Sequence, residues 1–310
     1  MCIRDRNGGF VTAADLAGYQ AVDAVMARGR YGELDLVGSW LPAGGATSIQ
    51  ALQILDAAGV GPDDPPSVWA PVLAGALTAA YADRETAQGW PAPEAVAWIT
   101  SDSLAARHGR ALRPTDAPSP PPDEAGEPEH TTHVAVADSD GFVVALTQSL
   151  GPSFGAMVAT PSLGFLYAST LGGYLAEGGP GARAWSSQSP MIVLRRDRPV
   201  LSLGGGGGRR IISAAVSTVA RFASGAGLDE ALSGPRLHPT GTTVLLDGRW
   251  DPAATAALEA AGWTVEVRDR DYFARLNAVV RGDDATWLGA ADPVWADGTA
   301  SGPAGAATAR

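Results

Sequence analysis

The apolar residues of this chain recur at two spacings, one typical of helices and the other of strands. Helical spacing occupies residues 47–57, 68–86, 94–112, 210–224 and 251–261, with shorter helices predicted at 12–18 and 228–233. Strand-like runs occupy residues 19–25, 34–40, 131–137, 142–149, 165–169, 191–194, 199–203, 243–246, 264–267, 276–281 and 286–289. The pattern therefore predicts a chain that contains both helices and strands.

The longest predicted helix, residues 68–86, carries its apolar side chains on one face, as expected for a helix packed on a core. Asp83 and Arg84 stand near its end. Because charged residues at the end of a helix usually face water, we interpret this pair as a solvated terminus.

Residues 131–137 and 142–149 alternate in polarity on either side of a turn made by Asp138, Ser139, Asp140 and Gly141. Two strands joined in this way are typical of a β-hairpin. The segment ahead of them, residues 114–128, contains six prolines with acidic residues between them. Such a composition favours an exposed linker.

Thr131 stands where this linker gives way to the first strand of the hairpin. Cleavage of the backbone there would leave Thr131 with a free α-amine, whose pKa of about 7.7 to 8.0 lets it take the proton from the threonine's own hydroxyl. A pair of threonines that opens a strand is also ordinary in structural terms. The spacing alone leaves both interpretations open.

Residues 141–176 carry no formal charge, and the stretch is long enough to span a membrane. Glycines and prolines divide it into pieces of strand length: Gly151, Pro152, Gly155, Pro161, Gly164, Gly172 and Gly173. This division favours buried sheet over a membrane helix.

The composition excludes several classes of protein. A hydrophobic content of 45% over 310 residues is enough for a packed core and is not typical of a disordered chain. The net charge of −11 disfavours nucleic acid as a partner, because the phosphates are also negative. The single cysteine, Cys2, excludes an internal disulfide, and the four histidines lack the spacing of metal ligands. We therefore expect no metal and no cofactor.

Five consecutive glycines, residues 204–208, precede the predicted helix 210–224. The run could be a flexible linker, but it lacks the Gly-Lys-Ser/Thr ending of a nucleotide-binding loop. Glycines ahead of a helix also let backbone N–H groups approach a reacting group, with the positive end of the helix dipole behind them. That geometry stabilises an oxyanion.

Six stretches carry a family resemblance, and it extends from Asn7 to about Gly302. They are residues 8–19 (GGFVTAADLAGY), 80–84 (AYADR), 131–138 (TTHVAVAD), 186–190 (SSQSP), 204–212 (GGGGGRRII) and 289–293 (GAADP). In this order they resemble the γ-glutamyltransferase (γ-glutamyltranspeptidase) family of N-terminal-nucleophile hydrolases. The resemblance starts in the middle of the family's large subunit, so we expect an N-terminally truncated fragment. No signal peptide is visible.

The resemblance implies an α+β fold, the four-layer αββα sandwich of the N-terminal-nucleophile hydrolases, incomplete at its N-terminal side. Residues 7–130 would be the C-terminal portion of the large subunit, ending in the proline-rich linker at 113–130. Residues 131–310 would be the small, catalytic subunit. The two would form a heterodimer after the protein cuts its own bond between His130 and Thr131. Family members are typically exported, so a periplasmic or extracellular location is expected.

The resemblance also assigns roles to residues of the second part. Thr131 is expected to attack a γ-glutamyl amide, with its α-amine as base and then as acid. Gly207 and Gly208 match the family's paired oxyanion donors. Thr147 and Ser149 match two hydroxyl residues of the second hairpin strand, one of which bonds to the nucleophile.

Substrate recognition is where the chain departs from the family. Ser186 and Ser187 match the serine pair that holds the substrate's α-carboxylate. Members specific for γ-glutamyl groups hold the α-amino group with an asparagine, a further amide or carboxylate, and an aspartate. Here those positions are Gly151, Thr170 and Gly173. Loss of a carboxylate partner removes a charge-assisted hydrogen bond of roughly 1.5 to 3 kcal/mol.

These expectations combine into an autoprocessing threonine amidohydrolase or acyltransferase. It would act on γ-glutamyl or related amide bonds, as in glutathione, with water or an amine as the acceptor. The changed pocket leaves open an acylase of non-glutamyl amides on the same scaffold. A noncatalytic or inactive homologue also remains open.

Overall fold

The computed structural model describes residues 12–39, 43–112, 131–159, 164–169 and 183–293. Its helices are α1 (Ala13–Gly18), α2 (Gly45–Ala58), α3 (Pro66–Thr86), α4 (Ala92–Ile99), α5 (Asp102–Ala111), α6 (Arg210–Ala223), α7 (Leu228–Ser233) and α8 (Pro252–Ala260). Its strands are β1 (Ala27–Tyr31), β2 (Leu34–Gly38), β3 (Thr131–Ala137), β4 (Val143–Ser149), β5 (Met191–Arg195), β6 (Arg198–Gly206), β7 (Leu237–Thr240), β8 (Thr243–Asp247), β9 (Thr264–Arg268), β10 (Arg275–Arg281) and β11 (Trp287–Ala291).

A six-stranded sheet in the order β1-β2-β5-β6-β10-β11 forms the centre of the molecule, and every neighbouring pair is antiparallel. Along β6, Leu201 and Leu203 are fully buried in the core shared with the helices. Ser202, which points the other way, donates to the carbonyl of Val144 in the hairpin β3–β4 (3.2 Å). The described residues thus form three successive layers: helices, the six-stranded sheet and the hairpin.

The helical layer rests on α2, which is buried from Gly45 through Leu55. A helix buried on all sides lies inside a protein rather than at its surface. It contacts β1, β2, α3 and α6. The predicted helices at 47–57 and 68–86 are confirmed, and they occupy the centre of this layer.

A smaller sheet, β7-β8-β9, lies beside α3 and α8. Buried charges connect Asp292, which follows β11, to residues at the ends of this smaller sheet. Asp292 accepts hydrogen bonds from Arg236 (2.9 Å) and from Arg270 (2.6 Å), and it is 3% exposed. Because a buried carboxylate needs such partners, the Gly-Ala-Ala-Asp-Pro stretch has a structural role in this fold.

The strand predicted at residues 19–25 is wrong, because the first strand of the sheet is Ala27–Tyr31. This strand lies between the two predicted strand-like runs, 19–25 and 34–40. In the sheet, Arg28 and Arg30 are exposed on an edge strand, where charged side chains are common. Gly29 is in close contact with Ile49 of α2, so this glycine belongs to a packed strand.

The single helix predicted at residues 94–112 is wrong in one respect, because it is broken into α4 and α5. At the break, the hydroxyls of Thr100 and Ser101 donate to the carbonyls of Val96 and Trp98, both at 2.8 Å. The amide of Gln53 donates to the carbonyl of Thr100 (3.1 Å). These side-chain bonds compete with the helical ones and end α4.

The uncharged stretch at 141–176 lies only partly within the described residues. Its first part forms β4, and residues 165–169, which were predicted as a strand, contribute only one bridge, between Ala159 and Leu166. In the described part of the chain, no helix has both the length and the apolar character needed to cross a membrane.

Candidate active site

Thr131 is the first residue of β3, and the hairpin register sets it opposite Ser149 of β4. His133 and Thr147 form the next pair on the same face, because side chains alternate along a strand. This face lies against β6. The opposite face carries Thr132, Val134 and other exposed side chains. The predicted hairpin is confirmed, and it gathers three hydroxyl residues and a histidine on one side.

Glycines of β6 allow the hairpin to approach the sheet at backbone distance. A Cβ atom at Gly206 would lie 2.3 Å from the carbonyl oxygen of Thr131, and one at Gly204 would lie 2.4 Å from the ring of His133. Both distances are shorter than any real contact of a Cβ atom. The flexible linker that the glycine run left open is excluded for Gly204 to Gly206, because these residues are the end of β6.

Only the last two glycines of the run form a turn. Gly207 has φ +138° and Gly208 has φ +57°, values that favour glycine. Helix α6 begins two residues later, at Arg210. Among the described residues, the N–H groups of Gly207 and Gly208 donate no hydrogen bond. Both glycines follow directly after Gly206, the glycine that contacts Thr131.

Helix α3 holds this turn from the opposite side. The hydroxyl of Tyr81 donates to the carbonyl of Arg209 (2.7 Å), the residue between the turn and α6. The guanidinium of Arg209 lies over the Tyr81 ring (5.1 Å) and pairs with Glu85 (3.5 Å). The position of the turn is thus set by a helix distant from it in sequence.

His133 is a site residue that the sequence reasoning missed. Its Nδ1 is 2.7 Å from the hydroxyl oxygen of Thr147, and its carbonyl accepts from the amide of Asn277 (2.9 Å). The side chain is 3% exposed, and Nε2 has no partner among the described residues. Burial lowers the pKa of His133 from its ordinary value to about 4. The imidazole is therefore neutral at neutral pH. The spacing of two residues from Thr131 was the signal that could have identified it.

Ser149 has a defined hydrogen-bond polarity. Its hydroxyl oxygen accepts from the N–H of Gly151 (3.0 Å) in a short turn after β4, where Gly151 has φ +83°. Since the oxygen already accepts, the hydroxyl hydrogen remains for donation. Gly151 itself brings no side chain to this end of the hairpin.

Ser186 and Ser187 lie on a half-buried segment that leads into β5. Arg84 of α3 reaches this segment, where Nη2 donates to the carbonyl of Ser186 (2.6 Å) and Nη1 donates to the hydroxyl of Ser187 (3.3 Å). Its guanidinium also lies over the ring of Trp185 (4.8 Å). The structure therefore brings a cation to the predicted serine pair.

The interpretation of Asp83 and Arg84 as a solvated helix end is wrong. Asp83 accepts from the amide of Gln50 (2.5 Å) and bonds to His108 (2.7 Å), and Arg84 is 1% exposed. In the last turn of α3, the face that carries Asp83 and Arg84 is buried against α2, α5 and the serine segment, whereas Thr86 at the helix end is exposed. The signal that Asp83 and Arg84 are not an ordinary helix end was their place within the family-like stretch at residues 80–84 (AYADR).

His130, Thr170 and Gly173 lie outside the described residues. Within the described ranges, no group of three or more His, Cys, Asp or Glu side chains is arranged to hold a metal ion.

Comparison with known proteins identifies the family. A sequence model described as gamma-glutamyltranspeptidase matches residues 4–302. The chain belongs to the gamma-glutamyltranspeptidase family. Membership in the gamma-glutamyltranspeptidase family, which the six stretches predicted, is thus confirmed.

Similar members of the gamma-glutamyltranspeptidase family carry two kinds of name. The acylase ACY 1 proenzyme of Pseudomonas sp. (strain SE83) is 32% identical over 306 residues, which cover 94% of this chain and 54% of the relative. The glutathione hydrolase proenzyme of Escherichia coli (strain K12) is 28% identical over 329 residues, which cover 96% of this chain and 56% of the relative.

A solved structure shows the same fold. The cephalosporin acylase from Bacillus halodurans superposes with a TM-score of 0.78 at 20% identity, covering 93% of this chain and 55% of that protein. The mixed α and β architecture is therefore confirmed as that of the gamma-glutamyltranspeptidase and acylase group. The chain spans about half the length of the relatives it matches.

Proposed function

We propose that this chain carries the nucleophile and the oxyanion site of an amidohydrolase of the N-terminal-threonine type, with Thr131 as the nucleophile. One observation supports this most directly: the carbonyl of Thr131 is in contact with Gly206, immediately ahead of the turn Gly207–Gly208. Thr131 thereby lies close to two N–H groups that have no hydrogen-bond partner among the described residues, and acyl transfer requires such donors beside the nucleophile.

Maturation precedes catalysis in this proposal. The hydroxyl of Thr131 attacks the carbonyl carbon of His130, and the acyl group moves from nitrogen to oxygen. Water then hydrolyses the ester, which frees the carboxylate of His130 and the α-amine of Thr131. The products are two polypeptides, one that ends at His130 and one that begins at Thr131.

In the mature protein, the α-amine of Thr131 takes the hydroxyl proton as the oxygen attacks an amide carbon. The oxyanion accepts hydrogen bonds from Gly207 and Gly208, and loss of one such donor typically costs about 3 kcal/mol of barrier. The proton passes to the leaving amine, and an acyl-enzyme remains until water or an acceptor amine takes the acyl group. Ser149, whose hydroxyl oxygen already accepts from Gly151, donates its hydroxyl hydrogen to the nucleophile oxygen from the opposite strand.

The substrate class is a γ-glutamyl amide or a related amide. An acylase of non-glutamyl amides is the second candidate, and Gly151 favours it, since a glycine provides no side chain to hold an α-amino group. The name of the 32% identical relative, an acylase, supports the same candidate.

The four-layer sandwich is part of the proposal. The outward face of the hairpin exposes apolar side chains, among them Val134, Val136, Phe142 and Leu146. An apolar sheet face of this kind is typical of a surface that another layer covers. The hairpin would then belong to the second sheet of the sandwich.

Intact-mass and N-terminal sequencing of the purified protein test maturation. The wild type is expected to give two polypeptides with a new N-terminus at Thr131, whereas Thr131→Ala stays intact. Thr132→Ala, a neighbour on the exposed face, is the matched control and is expected to cleave normally. Release of p-nitroaniline from γ-glutamyl- and glutaryl-p-nitroanilide tests activity. One intact wild-type chain, or equal activity in Thr131→Ala, would contradict the proposal and favour a noncatalytic homologue.

A further inference from the structure

One guanidinium holds three consecutive residues at the predicted substrate pocket. Arg84 stacks on Trp185 and donates to the carbonyl of Ser186 and to the hydroxyl of Ser187. At 1% exposure, its charge lies in a region of low effective dielectric, where hydrogen bonds to a cation are stronger than in water. Both hydrogen bonds are made by the guanidinium group, so the role of Arg84 is more than the packing of its aliphatic stem.

The polarity of the two hydroxyls follows from their fixed donors. A guanidinium can only donate, so the oxygen of Ser187 must accept from Arg84. The oxygen of Ser186 accepts from the N–H of Gln188 (3.1 Å). Each serine therefore keeps its own hydrogen, and neither hydrogen has an acceptor among the described residues. The pair presents two O–H donors with a cation behind them, and this combination favours a carboxylate and disfavours an ammonium group.

The segment that carries the serines is also anchored by α2. Gly44 donates to the carbonyl of Gln188 (2.7 Å), and the hydroxyls of Ser48 and Ser189 bond to each other (2.7 Å). A Cβ atom at Gly44 would lie 2.9 Å from the carbonyl oxygen of Ser187. The backbone that carries Ser186 and Ser187 is therefore held from both sides.

Helix α3 connects this subsite to the turn of Gly207 and Gly208. Tyr81 and Arg84 are three residues apart and lie on one face of the helix. Tyr81 bonds to Arg209 beside the turn, and Arg84 bonds to the serine segment. One rigid element thus sets the distance between the proposed oxyanion donors and the serine pair.

We propose that Arg84 is a positioning residue that makes Ser186 and Ser187 obligate donors and selects acyl groups that end in a carboxylate. This inference rests on the proposed function and names the substrate class of its acyl side. Carboxylate binding by the serines is what the family resemblance implies, and the role of Arg84 is the addition.

Two acyl p-nitroanilides of equal chain length test it, glutaryl with a terminal carboxylate and pentanoyl without one. Arg84→Met is expected to raise KM for the glutaryl substrate about tenfold, because a charge-assisted hydrogen bond and its orientation are lost. KM for the pentanoyl substrate and kcat for both are expected to stay within about twofold. Arg84→Lys, which keeps the charge but not the paired donors, is expected to give an intermediate KM.

Arg221→Met is the matched control. Arg221 is also buried and donates to a backbone carbonyl, that of Pro235, but it does not contact the serine segment. If Arg84→Met and Arg221→Met raise KM for both substrates alike, Arg84 is merely structural and the inference is overturned. If Arg84→Met fails to fold, Arg84→Lys decides the question. A rise in KM for the glutaryl substrate relative to KM for the pentanoyl substrate supports the inference, and an equal change in both overturns it.

Calorimetric titration with glutarate separates this inference from the proposed function. Wild-type protein that cleaves no amide, yet binds glutarate about tenfold more tightly than Arg84→Met does, would reject the proposed function and leave the role of Arg84 standing. Protein that cleaves the pentanoyl amide with no preference for the glutaryl amide, and binds no glutarate, would reject the role of Arg84 alone.

Discussion

The two parts of the candidate site are built in opposite ways. At the hairpin, contact depends on missing side chains, since Gly204 and Gly206 let the backbone of β3 approach β6. At the serine segment, contact depends on a large buried side chain, since Arg84 crosses from α3 to reach Ser186 and Ser187.

This difference indicates which substitutions each part of the site tolerates. The glycine part cannot accept added volume, because the neighbouring atoms belong to the backbone and cannot rotate away. The arginine part can accept small changes of volume but not the loss of a donor, because a buried acceptor would remain unpaired. The following predictions test the contrast, from the largest expected effect to the smallest.

Gly206→Ala is expected to have the largest effect. Its Cβ atom would lie 2.3 Å from the carbonyl oxygen of Thr131, so β3 must move away from β6. We expect a loss of about 3 kcal/mol in the free energy of unfolding and loss of cleavage before Thr131. Urea denaturation and intact-mass measurement check this. Gly227→Ala is the control, with open space around it and φ −61°. Wild-type stability in Gly206→Ala would refute the glycine argument.

Acid is expected to destabilise the hairpin through His133. Burial lowers its pKa from 6.5 to about 4, so between those pH values the unfolded chain binds more protons than the folded chain. The stabilisation is complete above pH 6.5 and is lost as the pH falls towards 4, by up to about 3 kcal/mol.

His133→Asn tests this, because it retains an amide that can bond to Thr147 but does not titrate. Between pH 6.5 and 4 its free energy of unfolding is expected to fall less steeply than that of the wild type. His238, whose pKa burial lowers to about 3, is present in both proteins and cancels in the comparison. Identical slopes in urea denaturation would contradict the prediction.

Tyr81→Phe is expected to have a smaller effect, at the turn of Gly207 and Gly208. The change removes the hydrogen bond to the carbonyl of Arg209, with a net cost of about 1 kcal/mol in stability. A displaced oxyanion donor should lower kcat about fivefold while KM changes little. Steady-state kinetics with glutaryl-p-nitroanilide measure both constants. Tyr31→Phe, which removes a buried tyrosine hydroxyl from β1, should leave kcat unchanged, and an equal fall in both variants would count against the role of Tyr81.

Gly151→Asn is expected to have the smallest effect, a gain of preference for the γ-glutamyl substrate over the glutaryl substrate. Asparagine tolerates the φ of +83° better than other side chains and adds an amide near Ser149. We expect the ratio of kcat/KM for γ-glutamyl- over glutaryl-p-nitroanilide to rise about threefold, equivalent to about 0.6 kcal/mol. Gly151→Ala, which adds volume without an amide, should not change the ratio. An unchanged ratio in Gly151→Asn would show that this position is not near the acyl group.

Local pattern was sufficient for much of the fold. The alternation around Asp138 to Gly141 predicted the hairpin, and the helical spacing predicted α2, α3 and α6. Both signals depend on which face of an element is apolar, and this property is visible in a short stretch of sequence. The break between α4 and α5 was missed because Gln53, far away in sequence, bonds to Thr100.

The family motifs predicted Thr131, the last two glycines and the serine pair as site residues, but they did not predict which neighbours hold them in place. Whether Arg84 faces water or Ser187 depends on the helix that packs against it, and composition does not record that neighbour. The same is true of His133, whose pKa depends on its burial between the hairpin and β6.

By itself, the sequence determined the family, the principal helices and strands, and the residue types available for acyl chemistry, because each is written in local spacing and short motifs. Only the tertiary structure decided that Gly204 and Gly206 belong to a strand, that Arg84 is buried, and that α3 links the turn to the serine segment. The physical reason is that close approach, burial and hydrogen-bond polarity are properties of pairs of residues distant along the chain.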